Sequence, residues 1–391
     1  MINPVLLTKK DETDLIALCQ ELVQINSVNP PGNELVIARF IQNYLEQSGV
    51  KAELVHHDDQ RASVLAVIKG SGEVDPVIFS AHIDTVPVGD QPWIAGPFSG
   101  EIIDGKLYGR GSSDMKGGLA AMMIAVRKLM EAKVQLKGDL VLAFSAGEEN
   151  NFLGAYALAE RDELKKAQVL LVSEPSSNQL ALAEKGGFWL KVVTHGQTAH
   201  GSRPEQGRNA VMMMMQFLQE FMALEINSRP HPLLGQFTRS VNVISGGMKT
   251  NVVPDSCMVE VDMRTVGGQD HQQILKQIQE LIKRLETDIP GFKAEASGLS
   301  VNTQPVVTDE NHPAVVQFRQ ILERETTVDT TPIGMYYGTD AAVYVPLYGY
   351  PMIICGPGRA ELAHQPNEFI DIDKLIEAAR VYILAALEWL N

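Results

Sequence analysis

The chain has 391 residues, 45% of them hydrophobic and 21% charged, which is more than one hydrophobic core ordinarily serves and predicts two domains. Its formal net charge of −15 sets it against polyanionic partners, so neither nucleic acid nor an anionic membrane surface is expected as a ligand. Cys19, Cys257 and Cys355 are isolated thiols without CxxC spacing, which argues against a disulfide framework and for a reducing, cytoplasmic compartment.

The amino terminus, MINPVLLTKKDETD, lacks the cationic start, apolar stretch and cleavage site of a secretion signal. Two amphipathic patterns, DETDLIALCQELVQI and NELVIARFIQNYLEQSG, predict opening helices, the second ending at Gly49. β-rich runs follow in AELVHH, SVLAVIKG and PVIFSAHID, then a helix after GRGSSDMKGG, a strand in DLVLAFSAGEE, a further helix and a strand in QVLLVSEP. This alternation predicts an open α/β sheet.

Near residue 182 the character changes. FWLKVVTHG, GRNAVMMMMQFLQEFMAL, SVNVISGG, SCMVEVDMRT, DHQQILKQIQELIKRLE and FKAEASGLSV read in turn as strand, helix, strand, strand, helix and strand. That βαββαβ order is the ferredoxin-like split unit and predicts an inserted domain over 182–294. Gln and Glu interrupt NAVMMMMQFLQEFMALEI too often for a bilayer span, and its methionines at 212–215 are expected in core packing or dimer contact. The α/β style returns in NHPAVVQFRQILERE, YPMIICGPG and IDKLIEAARVYILAALEWL, so residues 1–181 and 295–391 are expected to form the other domain.

His82, Asp114, Glu149, Glu174 and His364 each stand beside small or turn-forming residues where an apolar run ends. Two imidazoles with three carboxylates suit a pair of zinc-like cations, and strand exits of α/β sheets are where ligand sites collect. In His82-Ile83-Asp84 the outer residues face one side of a strand, so the carboxylate is expected behind a ligand imidazole, fixing its tautomer. A loop-capping Asp with an incidental His is the plain alternative. In GRGSSDMKGG small neighbours leave Asp114 uncovered, and its two oxygens can bridge cations roughly 3.5–4 Å apart. An N-cap on a glycine-rich turn competes with that reading, while the spacing of a phosphate loop is absent. Glu148 and Glu149 in AFSAGEEN point in different directions, so one can bind metal while the other handles the proton of an attacking water. A solvated pair at a helix start is the competing view. Glu174 ends VLLVSEP, and His364 lies in the loop CGPGRAELAHQPNE.

The ordered series HID, GRGSSDMKGG, GEEN, SEP and AHQPNE resembles the M20 zinc aminoacylase and peptidase family. That family includes acetylornithine deacetylases, succinyl-diaminopimelate desuccinylases, aminoacylases and glutamate carboxypeptidases. The resemblance covers nearly the whole chain. It implies a zinc-exopeptidase-like mixed sheet flanked by helices, with an inserted ferredoxin-like lid and dimerisation domain. It also implies two divalent metal ions, zinc foremost with cobalt or manganese as alternatives. Asp114 would bridge them, with His82 and Glu174 on one and Glu149 and His364 on the other. Asp84 and Glu148 become catalytic, Glu148 as general base and acid, and a cis peptide is implied after Asp114.

The segment THGQTAHGSRPEQGRNA matches a family segment whose histidine, here His200, reaches the partner subunit's site and stabilises the oxyanion, leaving His195 structural. Asn251 in KTNVVPD, Arg264 in VDMRT, and Gly338 and Thr339 in YYGTDAAVY match substrate contacts. For Arg264 the ordinary alternative is a strand-end arginine paired with a local acid. The last loop departs from the desuccinylases, which carry an arginine where this chain has Ala341 and Ala342. The resemblance thus implies a cytoplasmic homodimer, joined through the lid, that deacylates an N-acyl amino acid by attack of metal-activated water, as acetylornithine deacetylases do. A dipeptidase or glutamate-carboxypeptidase-like exopeptidase is the alternative within that chemistry, and a non-catalytic binding or assembly protein is the alternative outside it.

Overall fold

The computed structural model describes residues 6–226 and 229–391, so the start of the amino-terminal stretch read above lies outside the described residues. The chain divides into two compact units, one of residues 1–183, 306–334 and 339–391, the other of 184–305 with 335–338.

The first unit opens with α1 (Lys9–Gln24), α2 (Leu35–Gln47), β1 (Ala52–His56), β2 (Ala62–Ile68), β3 (Val77–His82), β4 (Ile102–Ile103) and β5 (Lys106–Tyr108). It continues through α3 (Gly117–Glu131), β6 (Leu140–Ser145), α4 (Glu148–Asn151), α5 (Leu153–Ala159), β7 (Val169–Pro175) and β8 (Ala181–Glu184). Between β8 and β13 (Val306–Val307) the chain builds the second unit from β9 (Gly186–His195), α6 (Ala210–Ala223), β10 (Thr238–Gly246), β11 (Ser256–Thr265), α7 (His271–Asp288) and β12 (Ala294–Thr303). The last elements are α8 (Pro313–Glu325), β14 (Ile333–Met335), α9 (Ala341–Tyr348), β15 (Met352–Gly356), β16 (Phe369–Asp371) and α10 (Ile372–Leu390).

The large sheet is mixed, ordered β1-β2-β6-β3-β7-β15-β8-β13, with β14 paired to β8. Its centre, β6-β3-β7-β15, is parallel. Every residue of these four strands is buried, because parallel strands are covered on both faces, and that is why they read as unbroken apolar runs. Helices α3 and α10 pack against each other and on β3. The parallel centre sends the carboxyl ends of four neighbouring strands to one edge, where the candidate ligands emerge. The chain leaves this sheet on β8 and returns to it on β13, the adjacent strand.

The second unit has the order β10-β11-β9-β12, antiparallel throughout, with α6 and α7 completing βαββαβ. It extends past residue 294 because β12 is hydrogen-bonded along β9, pairing Thr303 with Gly187. Alternate residues of β11, among them Val259, Val261 and Met263, turn inward onto Ile274, Ile278 and Leu281 of α7 and Phe217 and Phe221 of α6. The methionine run splits by helical period, Met213 and Met214 in this core, Met212 and Met215 exposed. All three cysteines are free and buried. Among the described residues no helix is long and apolar enough to cross a membrane.

Candidate metal centre

Four adjacent strand ends and one helix-opening loop supply the site. His82 is the last residue of β3, Glu148 and Glu149 follow β6, Glu174 lies near the end of β7, and His364 is in the loop after β15. Asp114 comes from the turn that leads into α3, and its peptide bond to Met115 is cis.

Asp114 stands between two imidazoles. His82 Nε2 lies 3.0 Å from its Oδ1, and His364 Nε2 lies 3.5 Å from its Oδ2. His82 Nε2 is also 3.6 Å from Glu174 Oε1, and His364 Nε2 is 2.9 Å from Glu149 Oε2. Donor atoms of His82, Glu148 and Glu174 fall within 4.8 Å of one another, as do those of His82, Asp114 and Glu149.

His82 Nδ1 donates to the backbone carbonyl of Asp84 at 2.9 Å, so a neutral ring presents the Nε2 lone pair to Asp114 and Glu174. Lone pairs converging on carboxylates repel unless a proton or a cation lies among them. Glu149 Oε1 is buried without a hydrogen-bond partner among the described residues, a further acceptor awaiting positive charge. A donor set of two imidazoles and several carboxylates fits divalent cations of the zinc type.

Burial disfavours the charged ring of His82, but Glu174 and Asp114 outweigh it and hold the imidazole well above its ordinary range. Burial holds Glu148 well above the carboxylate range, reinforced by the charges of Glu174, Glu149 and Asp340. Glu174 is raised in the same way by burial and by Asp114. For Asp114 burial is outweighed by the two imidazoles, which pull it down. His364, half exposed, is raised chiefly by its hydrogen bond with Glu149.

Asp84 behaves differently from the expectation of a carboxylate directly behind His82. Its carbonyl, not its carboxylate, holds Nδ1; Oδ1 is 3.7 Å away. The carboxylate instead accepts the backbone N–H groups of Gly147 at 2.9 Å, Glu148 at 3.1 Å and Glu149 at 3.3 Å, and the Asn29 amide at 2.9 Å. Three amides at the start of α4 offer donors that no helical carbonyl can meet, which is why the carboxylate turns there.

Thr339, fully buried in the first unit, accepts the Ala341 N–H at 3.1 Å at the start of α9. His200, Asn251, Arg264 and Gly338 belong to the second unit. His200 is exposed, its Nδ1 2.8 Å from Ser202 Oγ. Asn251 accepts the Gly201 N–H at its carbonyl. Arg264 forks onto Asp262 at 2.9 and 3.1 Å, the local pairing considered above. His195 meets Glu295 at 3.2 Å.

Three buried residues of the site carried no role in the sequence reading. Asp340 accepts the hydroxyls of Ser145 and Ser80, and burial pushes it up to about 6. Arg110 and Glu368 form a buried ion pair at 2.6 Å. Burial pushes Glu368 up to about 7, with Arg110 and the amides of Gly111 and Asp114 pulling the other way. Each of the three lies in or beside a motif, but only the fold brings it to its partners.

Known proteins place the chain in a family. The family model described as peptidase family M20/M25/M40 matches residues 78–388. A probable succinyl-diaminopimelate desuccinylase of Staphylococcus epidermidis is 29% identical over 96% of this chain and 98% of its own length. An M20 family metallo-carboxypeptidase from Sulfolobus solfataricus shares the fold with a TM-score of 0.78 at 20% identity, covering 97% of this chain and 99% of that one. A dinuclear metal-binding peptidase of the M20 family from Bacillus subtilis does so with a TM-score of 0.76 at 18% identity, covering 98% and 99%.

Proposed function

The chain belongs to peptidase family M20/M25/M40 and is a metal-dependent hydrolase of amide or peptide bonds, and on that footing we propose that it deacylates an N-acylated amino acid. The observation that carries this reading is Asp114, whose two oxygens face two different imidazoles. His82, Glu174 and Asp114 would hold one divalent cation, and His364, Glu149 and Asp114 a second, zinc foremost. When bound, the cations would polarise the substrate carbonyl and acidify water at the site.

Glu148 takes the proton of the attacking water and returns it to the leaving nitrogen. Burial among carboxylates raises its proton affinity, which suits a group that must accept a proton and hand it on. Asp84 holds the Glu148 backbone and the His82 ring. His200 is assigned to the oxyanion of a partner subunit's site, in a homodimer joined through the second unit. Asn251, Arg264, Gly338 and Thr339 are assigned to the substrate, Arg264 exchanging Asp262 for a substrate carboxylate. The unpaired thiols support a cytoplasmic location.

Likeness of fold to a metallo-carboxypeptidase favours a second reading, an exopeptidase, in which the acyl group is itself an aminoacyl residue. A release assay on zinc-loaded and cobalt-loaded protein separates the two by comparing N-acetyl, N-formyl and N-succinyl amino acids with dipeptides. Fastest turnover of an N-acyl amino acid is expected. Preference for dipeptides would move the assignment to the exopeptidase, and no turnover on either set would sink both. Mixing H200A with E148A chains should restore part of the activity if His200 acts across the dimer.

A further inference from the structure

The two loops that carry Asp114 and His364 lie about 250 residues apart in sequence, and they grip each other through one buried pair. Arg110, on the Asp114 loop, reaches across to the His364 loop. Its Nη1 donates to the Gln365 carbonyl at 3.2 Å and Nη2 to the His364 carbonyl at 3.4 Å, while a further bond goes to the Pro87 carbonyl at 3.2 Å. Glu368, on the His364 loop, reaches back. Its Oε2 accepts the Gly111 N–H at 3.0 Å, and its Oε1 accepts those of Ser113 at 2.9 Å and Asp114 at 3.0 Å. The two side chains meet at 2.6 Å, with 2% and 0% of their surfaces exposed. All four groups on Glu368 are donors, so the contact set is that of a carboxylate.

Neighbouring contacts close the same seam. Strands β5 and β16 pair Tyr108 with Phe369, and the Gly109 N–H meets the Glu368 carbonyl at 2.9 Å just beyond. Ser113 Oγ accepts the Arg359 N–H at 2.7 Å. At Gly358 an added Cβ would stand 2.0 Å from the Ser113 carbonyl oxygen, so the loops approach more closely than any side chain allows. His364 itself has φ 65°, a left-handed conformation that a non-glycine residue keeps only when its surroundings hold it.

We propose that the Arg110–Glu368 pair is a positioning device that sets the Asp114 carboxylate and the His364 ring in register for metal binding. Each partner fixes the backbone of the opposite loop, so the pair acts on both ligands at once and touches neither substrate nor metal. The inference rests on the reading of Asp114 and His364 as ligands, and the test separates the two ideas.

The full-length protein, stripped and titrated with zinc in competition with a chromogenic chelator, is compared with E368Q, R110K, E368Q/R110K and D114N. Glutamine keeps the shape of Glu368 but turns an amide N–H toward backbone donors, and lysine keeps the charge of Arg110 but not its fork. Either single variant should bind zinc about 10–100-fold more weakly while melting as a folded protein when metal-free. At saturating zinc KM should hold while kcat falls. The double variant should be little worse than either single one, because each change disables the same device. Changes under about fivefold in both single variants, with D114N losing zinc, overturn the positioning role and leave the metal centre standing. D114N retaining zinc overturns the ligand reading itself. Should E368Q fail to fold, R110K and E368D decide by the same threshold; if those unfold too, the pair is merely structural and the proposal falls.

Discussion

Asp84 accepts the Glu148 backbone N–H at 3.1 Å while its own carbonyl accepts His82 Nδ1 at 2.9 Å, so one residue fixes a candidate ligand and the candidate base. Asparagine at this position preserves the carbonyl bond but sets an N–H₂ group among three backbone donors. D84N should therefore lose about 10–100-fold in kcat/KM, with the Glu148–Glu149 turn loosened, as faster amide exchange over residues 146–152 would report. Wild-type turnover in D84N would refute this role.

Glu148 and Glu149 are neighbours with different prospects. Glu149 pairs with His364 at 2.9 Å, whereas Glu148 lies near His82 and Glu174. E149Q should lose bound metal. E148Q should keep its metal and its KM but drop in kcat by about 10²–10⁴-fold, the usual worth of a general base. Metal analysis beside steady-state kinetics checks both, and metal loss in E148Q with retention in E149Q would exchange the two roles.

Removal of metal should be felt in stability as well as in turnover. The acceptor groups around Asp114 gain a positive partner only in the folded state, so chelation should abolish hydrolysis and lower the melting temperature. Zinc restored to about 100 times its dissociation constant should return about 2.7 kcal/mol by mass action. Calorimetry with and without chelator measures this; an unchanged melting curve would mean that the cluster binds no cation.

At the start of α1, Asp11 caps the helix with Thr8 and meets Arg127 and Lys128 at 2.9 Å each. Burial raises its pKa, but the Thr8 hydrogen bonds and Lys128 outweigh that and lower it from 3.8 to about 2. A folded value below the unfolded one means stability that is fully present above about 3.8 and lost as pH falls through about 2. D11N should cost about 1–3 kcal/mol at pH 7. Urea titrations should show that gap constant from pH 7 to 5 and narrowing below 4; a gap that widens in acid would contradict the assignment.

Gly118 on α3 sits where an added Cβ would be 2.5 Å from the Ser173 carbonyl oxygen, one residue before Glu174. Alanine gains about 1 kcal/mol of helix propensity, but the contact is with backbone and cannot swing aside. G118A should be destabilised overall by about 1–3 kcal/mol and should bind zinc less well, both readable from thermal melts with and without metal. A more stable G118A would show that α3 shifts freely.

The central strands were legible because burial on both faces writes them as continuous apolar runs, and the strand exits were legible through the glycines and prolines that follow them. Four of the five candidate ligands converge because β6, β3, β7 and β15 are parallel neighbours, an order that sequence spacing alone does not reveal, and Asp114 joins them from the turn into α3. Strands of two or three residues, such as β4, β13 and β16, are too short for any period to appear. The residues behind the site were silent for a different reason. Asp340, Arg110 and Glu368 act through partners far away in the chain, and no local pattern records a hydrogen bond across 250 residues. Arg264, by contrast, found its acid two positions away, where a local reading could reach.

Departure on β8 and return on the adjacent β13 make residues 184–305 a single detour from the large sheet, to which the second unit adds only the short segment 335–338. A cassette of this kind can be lengthened, exchanged or excised across a short linker without rerouting the rest of the chain. Residues 184–305, with their own sheet and core, are thus a portable module, and recombination could reshape them while the order in which the ligands are threaded stays the same.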